Sequence, residues 1–303
     1  MTTATQPIDT TLPRPAAAPR SRPWYLDVWV QMVRRKPLGT VGGIIVVVML
    51  AAAVGAEWIS PYGFAQTSLR ERFVAMNGAH WLGTDQLGRD LLTRLIYGAR
   101  ISLYVGFGAV LLGSALATAV GILSANFGGR VDMLVQRGVD AWMAFPPLLL
   151  LMSIMSLVGP SVWNITIVLG VAFGIQNSRV VRGVALGIKE NTYIESARAM
   201  GSGHLAIAAR HILPNTLPTI IVVATTGLST VILTEASLSF LGLGVPPPYP
   251  TWGGMLSLAG LDHMYQAPWL AIWPAVALSL AVFGFNMLGD GLRDLLDPRL
   301  KGG

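Results

Sequence analysis

NTYIESARAMGSGHLAIAARHILPN, residues Asn191 to Asn215, is polar and basic, and long apolar runs flank it on both sides. Thr192 and Glu195 have capping-box spacing, with the hydroxyl accepting from the Glu195 amide and the carboxylate returning to the Thr192 amide. The spacing predicts a helix from Tyr193 to Met200, ended by Gly201 in the left-handed position. A second helix starts at Ser202 or Gly203 and stops where Pro214 forces Leu213 out of the helical region. Two short helices joined at a glycine are then held outside the bilayer by two membrane spans. The first presents small residues, Ser196, Ala197 and Ala199, a compact surface suited to a groove on a partner protein.

Outward from this stretch the composition is that of a membrane protein. Apolar residues make up 53% of the 303 and charged ones 12%, about half the share of a soluble domain. Several runs reach the ~20 apolar residues that cross a bilayer. With no cysteine, disulfides and thiolate metal sites are excluded. The net charge of +6 fits retention of cytoplasmic loops better than nucleic-acid binding, because the basic residues sit between apolar runs.

Residues 1–37 read as a cytoplasmic tail, disordered from Met1 to Pro23, and an interfacial helix with Trp24, Tyr25 and Trp29 at headgroup depth. Residues 38–100 hold the first span (about Leu38–Ala56) and an external loop. The span is a retained anchor rather than a cleaved signal, since both the run and the segment before it are too long. Gly39 and Gly43 have small-xxx-small spacing. From Gly88 to Leu103, Leu91, Leu92, Leu95, Ile96 and Ala99 share one face, with Arg89, Thr93 and Arg100 opposite and Asp90 placed to pair with Arg94. This is an amphipathic helix on the outer surface; an ordinary surface helix and a part of the external mouth are both open readings.

Residues 101–290 form the core. Its second span (Ile101–Ala125) and its fourth (Trp163–Val181) are studded with glycine, including Gly113, Gly121, Gly170 and Gly174, and are expected to pack closely. An inner loop, 127–137, leads to the third span (Val139–Leu157), which Pro146 and Pro147 kink. The fifth span runs Leu217–Phe240, a proline-rich external loop covers 242–267, and the sixth runs Trp269–Leu288. Residues 291–303 are a cytoplasmic tail. External segments hold only Arg70, Arg72, Arg89, Arg94 and Arg100, so the bias sets both termini and 191–215 in the cytoplasm. The fold class is an all-α integral membrane protein with six spans.

No GxxxxGK[ST], HExxH or GxSxG constellation is present, which argues against ATP binding or an enzyme in this chain. Asp140 and Glu235 lie near span ends, where water is reachable; capping or interhelical hydrogen bonding is preferred there to a pathway role. Thr226, Thr230 and Thr234 share i, i+4 spacing. They either line a peptide-width path or satisfy helix packing, and both readings stand.

Glu195-Ser196-Ala197, Gly201 and Leu213-Pro214 resemble the EAA loop of permease subunits of binding-protein-dependent ABC importers. Ser196 replaces the first alanine, and His211 stands where that pattern has isoleucine. LGTDQLGRDLLTRLIYGARISL (82–103), LSFLGLGVPPPYPTWGGML (238–256) and NMLGDGLRDLLDPRLKG (286–302) resemble the C-type permease of the dipeptide/oligopeptide branch. The resemblance implies the type I ABC importer permease fold in a bacterial plasma (inner) membrane. It implies ATPase coupling through Tyr193, Glu195, Ser196, Ala197, Arg198, Gly201, Leu213 and Pro214. The implied partners are a homologous permease, two ATPase subunits carrying ATP and Mg, and an extracytoplasmic substrate-binding protein, with no cofactor on this chain. The implied substrates are dipeptides or oligopeptides; nickel, glutathione and other peptide-like compounds belong to the same branch. A stand-alone secondary transporter fits less well, since no inverted repeat or deep charge pair is visible.

Overall fold

The computed structural model describes residues 36–257 and 263–296. The expected N-terminal tail, the interfacial helix around Trp24, Tyr25 and Trp29, residues 258–262 of the second external loop and 297–303 of the C-terminal tail lie outside the described residues.

Helices account for the architecture: α1 (Pro37–Val54), α2 (Leu91–Phe127), α3 (Gly129–Met143), α4 (Pro147–Val158), α5 (Val162–Lys189), α6 (Thr192–Ala199), α7 (Leu213–Phe240), α8 (Trp252–Leu256) and α9 (Trp269–Leu296). Among the described residues, α1, α2, α9 and the run His204–Phe240 are long and apolar enough to cross a membrane, and the pair α3/α4 adds a fifth crossing if it counts as one. The expected fourth span falls within α5, which has 28 residues but carries Gln176, Asn177, Arg179 and Arg182 in its second half. Exposed apolar side chains along these helices, such as Leu111 and Leu157, are the surface that lipid or another chain covers.

Several expected boundaries move. The external amphipathic helix and the second span are one helix, α2, of 37 residues. Its start is fixed by Asp90, whose carboxylate accepts from Thr93 N at 2.8 Å as an N-cap. Thr93 and Arg94 are therefore buried rather than facing water. Asp90 does not pair with Arg94: His80 Nδ1 lies 2.9 Å from it, and Arg94 reaches Asp85 at 3.6 Å. The third span is no kinked rod. α3 and α4 meet at 88°, because two consecutive prolines remove two amides and bar the preceding residue from the helical region. Most of the expected inner loop is the start of α3.

α2 and α5 pack backbone to backbone. A Cβ on Gly113 would lie 2.6 Å from the Gly170 carbonyl, and one on Gly121 would lie 2.7 Å from that of Ser178. These are the glycines whose spacing marked the contact. Across α1 and α9 the close approach falls at Gly42, where a Cβ would meet Gly284 O at 2.7 Å; Gly39 and Gly43 are buried beside it. A single apolar core joins α1, α2, α4, α5, α7, Trp252 and α9, and a second cluster sits at the end of α2 and α5 under α6.

Candidate functional site

The elbow grows out of α5. Asn191 turns its amide back, donating to the Ile188 carbonyl at 2.9 Å, and so closes the α5 end. α6 then starts at Thr192, one residue earlier than the capping box requires. This register leaves Thr192 inside the helix, so the Thr192–Glu195 box does not form: the N-cap is Asn191, with no side-chain cap bond. The far end follows expectation. Gly201 has φ +86°, Ser202 N donates to Ala197 O at 3.0 Å and Gly201 N to Arg198 O at 2.9 Å, a Schellman closure.

α6 has two faces. Ile194 (0% exposed) and Ala197 (4%) point inward, into the cluster of Ala117, Ile122 and Ala125 from α2, Val181 and Ala185 from α5, and Ile207, Ala208 and Ile212 beyond. Tyr193, Glu195, Ser196, Arg198, Ala199 and Met200 are exposed, as is Gly201. Of the expected coupling residues, Ala197 is therefore an anchor and no part of the free surface. Beside the expected coupling residues, and not among them, Met200 and Leu205 are 81% and 67% exposed, two large apolar side chains in a polar stretch.

Beyond Gly201 the chain does not stop at Pro214. A turn, His204–Ile207, passes into a wide turn over Ala208–Ile212, where Leu213 N donates to Ala208 O, five residues back. α7 follows with Pro214 in its first turn, where the missing amide costs nothing. Leu213 is half-buried and Pro214 exposed. The underside is tied down by polar contacts. Asn126 Nδ2 donates to His204 O at 2.9 Å, and Lys189 Nζ donates to the Ala125 and Asn126 carbonyls at 2.8 and 3.0 Å. Burial, and then the neighbouring Arg198 charge, hold the Lys189 ammonium below its ordinary pKa.

The threonine row divides. Thr230 and Thr234 line a cleft of about 410 Å³ between α4, α5, α7 and the α3/α4 break, with Gln176, Phe173 and Trp142 in its wall. Thr226 instead bonds Val222 O and packs against Gly289 of α9, since 100° per residue carries an i, i+4 row off its starting face. Thr234 also bonds back to Thr230 O. Glu235 is not water-reachable. It is wholly buried and accepts from Ser239 Oγ at 2.6 Å and from Ser102 Oγ of α2 at 3.2 Å, the interhelical role rather than a pathway one. Asp140 pairs with Arg179 of α5.

Comparison with known proteins shows the family of the chain. Residues 117–302 match the family described as binding-protein-dependent transport system inner membrane component, and residues 23–76 match the N-terminal TM domain of oligopeptide transport permease C. The chain is 40% identical over 279 residues to the dipeptide transport system permease protein DppC of Alkalihalophilus pseudofirmus, covering 92% of this chain and 91% of that one. It is 41% identical over 287 residues to the glutathione transport system permease protein GsiD of Escherichia coli O6:K15:H31, covering 92% of each. It is 38% identical over 271 residues to a putative peptide transport system permease protein of Brucella suis, covering 89% of this chain and 90% of that one.

Proposed function

This chain belongs to the family of binding-protein-dependent transport system inner membrane components, and from that membership we propose that it is a pathway-forming subunit of an ATP-driven peptide importer. It is an inner-membrane protein with the permease, not the catalyst, as its role among relatives. In this reading it has six spans with both termini cytoplasmic, in the type I arrangement. It pairs with a homologous permease, two ATPase subunits that hold ATP and Mg, and an extracytoplasmic substrate-binding protein. The substrate is a dipeptide, an oligopeptide or a peptide-like compound such as glutathione, in keeping with the names of the relatives. The hydroxyls of Thr230 and Thr234 and the amide of Gln176 suit backbone amides, because they bond them without demanding a particular side chain.

The observation that carries the reading is the two-faced elbow. Ile194 and Ala197 seat α6 on the ends of α2 and α5, while Tyr193, Glu195, Ser196, Arg198 and Met200 face outward together. A short helix fixed on one side and bare on the other suits a groove in a second protein. ATP closes the ATPase pair, α6 follows its groove, and the spans turn the path outward; hydrolysis resets it. Gly201 fixes the exit angle, and Leu213 with Pro214 starts the next span.

The test is reconstitution of both permeases with binding protein, with and without the ATPases. Uptake is expected only when the ATPases and ATP are present. Met200→Asp and Glu195→Arg are expected to leave membrane insertion intact and to weaken ATPase association. Substrate flux without the ATPases, or full association in both variants, overturns the reading.

A further inference from the structure

Docking alone does not account for the charged side chains behind the elbow. α5 presents three basic groups to its neighbours. Lys189 holds the last carbonyls of α2. Arg182 grips Asp132 of α3 through Nε at 2.6 Å and Nη2 at 2.5 Å. Arg179 pairs with Asp140, two turns further along α3, and Arg137 lies 3.9 Å from the same carboxylate. Asp132 also accepts from Ser124 of α2, and Gln136 donates to Ser124 Oγ at 3.2 Å.

Within this chain, among the described residues, α3 has little else to hold it. Val139 is its one buried residue, and Val131, Met133 and Leu134 are exposed. A helix without a buried stripe is not carried by its neighbours through packing. The bidentate Arg–carboxylate contact is the strongest directional tie available to it. At its other end α3 supplies Trp142 and Met143, and the break after it supplies Phe145 and Pro147, to the wall of the cleft that Thr230 and Thr234 face.

We propose that the Asp132–Arg182 pair, seconded by Asp140–Arg179, is a positioning clamp that makes α3 follow the elbow and so moves the cleft wall at the Pro146–Pro147 break. The proposal rests on the coupling role of α6. The clamp leaves ATP hydrolysis untouched and sets how much substrate each hydrolysis moves. A merely structural pair would lower stability, hydrolysis and uptake together.

The experiment uses the complete importer in proteoliposomes and reads ATP hydrolysed per substrate imported. Asp132→Asn and Arg182→Gln are expected to keep ATPase association and hydrolysis, with the ratio raised about tenfold or more, since each leaves an unpaired partner at a bidentate contact. The exchanged pair, Asp132→Arg with Arg182→Asp, is expected to bring the ratio back to within about threefold of the starting protein. Should the exchanged protein not assemble, Asp132→Glu decides: coupling retained supports the clamp, and coupling lost as in Asp132→Asn overturns it. An unchanged ratio in both single variants also overturns it. Glu195→Arg and Met200→Asp run in parallel. If either frees the ATPase while the clamp variants stay coupled, only the clamp falls; if both leave ATPase association whole, the coupling reading itself falls.

Discussion

Ile194→Ala tests whether the elbow is seated by burial. Ile194 is fully buried between α2, α5 and the turn before α7, and its partner anchor, Ala197, is too small to replace it. Truncating a buried isoleucine to alanine costs about 2–5 kcal/mol, the upper end applying where the site does not collapse. Here the floor is formed by helix ends already fixed by the Gly121–Ser178 approach, so little collapse is available. The loss falls on a local opening rather than on the whole fold, because the main core does not include this cluster. It raises the open population of the elbow roughly 30- to 4,000-fold. Hydrogen exchange of the α6 amides in nanodiscs measures it directly. Ile194→Val should show a far smaller change, about 0.5–1.5 kcal/mol. Exchange unchanged in Ile194→Ala, or raised equally across α1 and α9, refutes the two-faced elbow.

Other substitutions probe other links. Gly121→Ala places a Cβ 2.7 Å from Ser178 O and 2.9 Å from Arg182 N, and should lower stability by about 1–3 kcal/mol in reversible detergent unfolding; Gly138→Ala, with nothing within 4 Å, should not destabilise. Thr230→Val and Thr234→Val should raise the KM for uptake with ATPase activity unchanged, whereas Thr226→Val, facing α9, should leave transport kinetics as they are. Glu235→Ala removes the acceptor of two buried hydroxyls, Ser102 and Ser239, and should destabilise by about 1–3 kcal/mol, seen as a lower melting temperature of the purified permease.

What the sequence disclosed and what it hid follow from the range of the forces involved. Gly113, Gly121, Gly170 and Gly174 were legible because small residues at helical spacing have one dominant use between apolar helices. Gly201 was legible because its conformation is local. The cap at Thr192 was not: Thr192 and Asn191 compete for one role, and the outcome depends on the α5 carbonyls that Asn191 turns back to close. Pro146-Pro147 announced a break, but a proline pair does not by itself disclose the angle at which the two helices meet, here 88°. Arg94 looked like an i, i+4 partner of Asp90 because its partner in the fold, Asp85, and the Phe64 carbonyl it reaches at 3.2 Å belong to a folded loop that no periodicity reveals.

The two ends of the elbow are built differently, and this decides which part moves with it. Toward α5, every connection is short and doubled: Asn191 and Lys189 close helix-end carbonyls, Ile194 and Ala197 are buried, and glycines bring α2 and α5 into backbone contact. α2, α5 and α6 therefore form one stiff body. Toward α7 the connection is the wide turn Ala208–Ile212, whose looser hydrogen bonding is the usual place for a long helix to give. We therefore propose that the two spans flanking the elbow follow it unequally. On the proposed coupling, a push on Tyr193 or Met200 would turn α5 and α2 as a block, α3 would follow through Asp132, and α7 would take up the difference at the wide turn. The cleft between α5 and α7, lined by Phe173 of one and Thr230 of the other, would then be the seam across which that motion opens or closes.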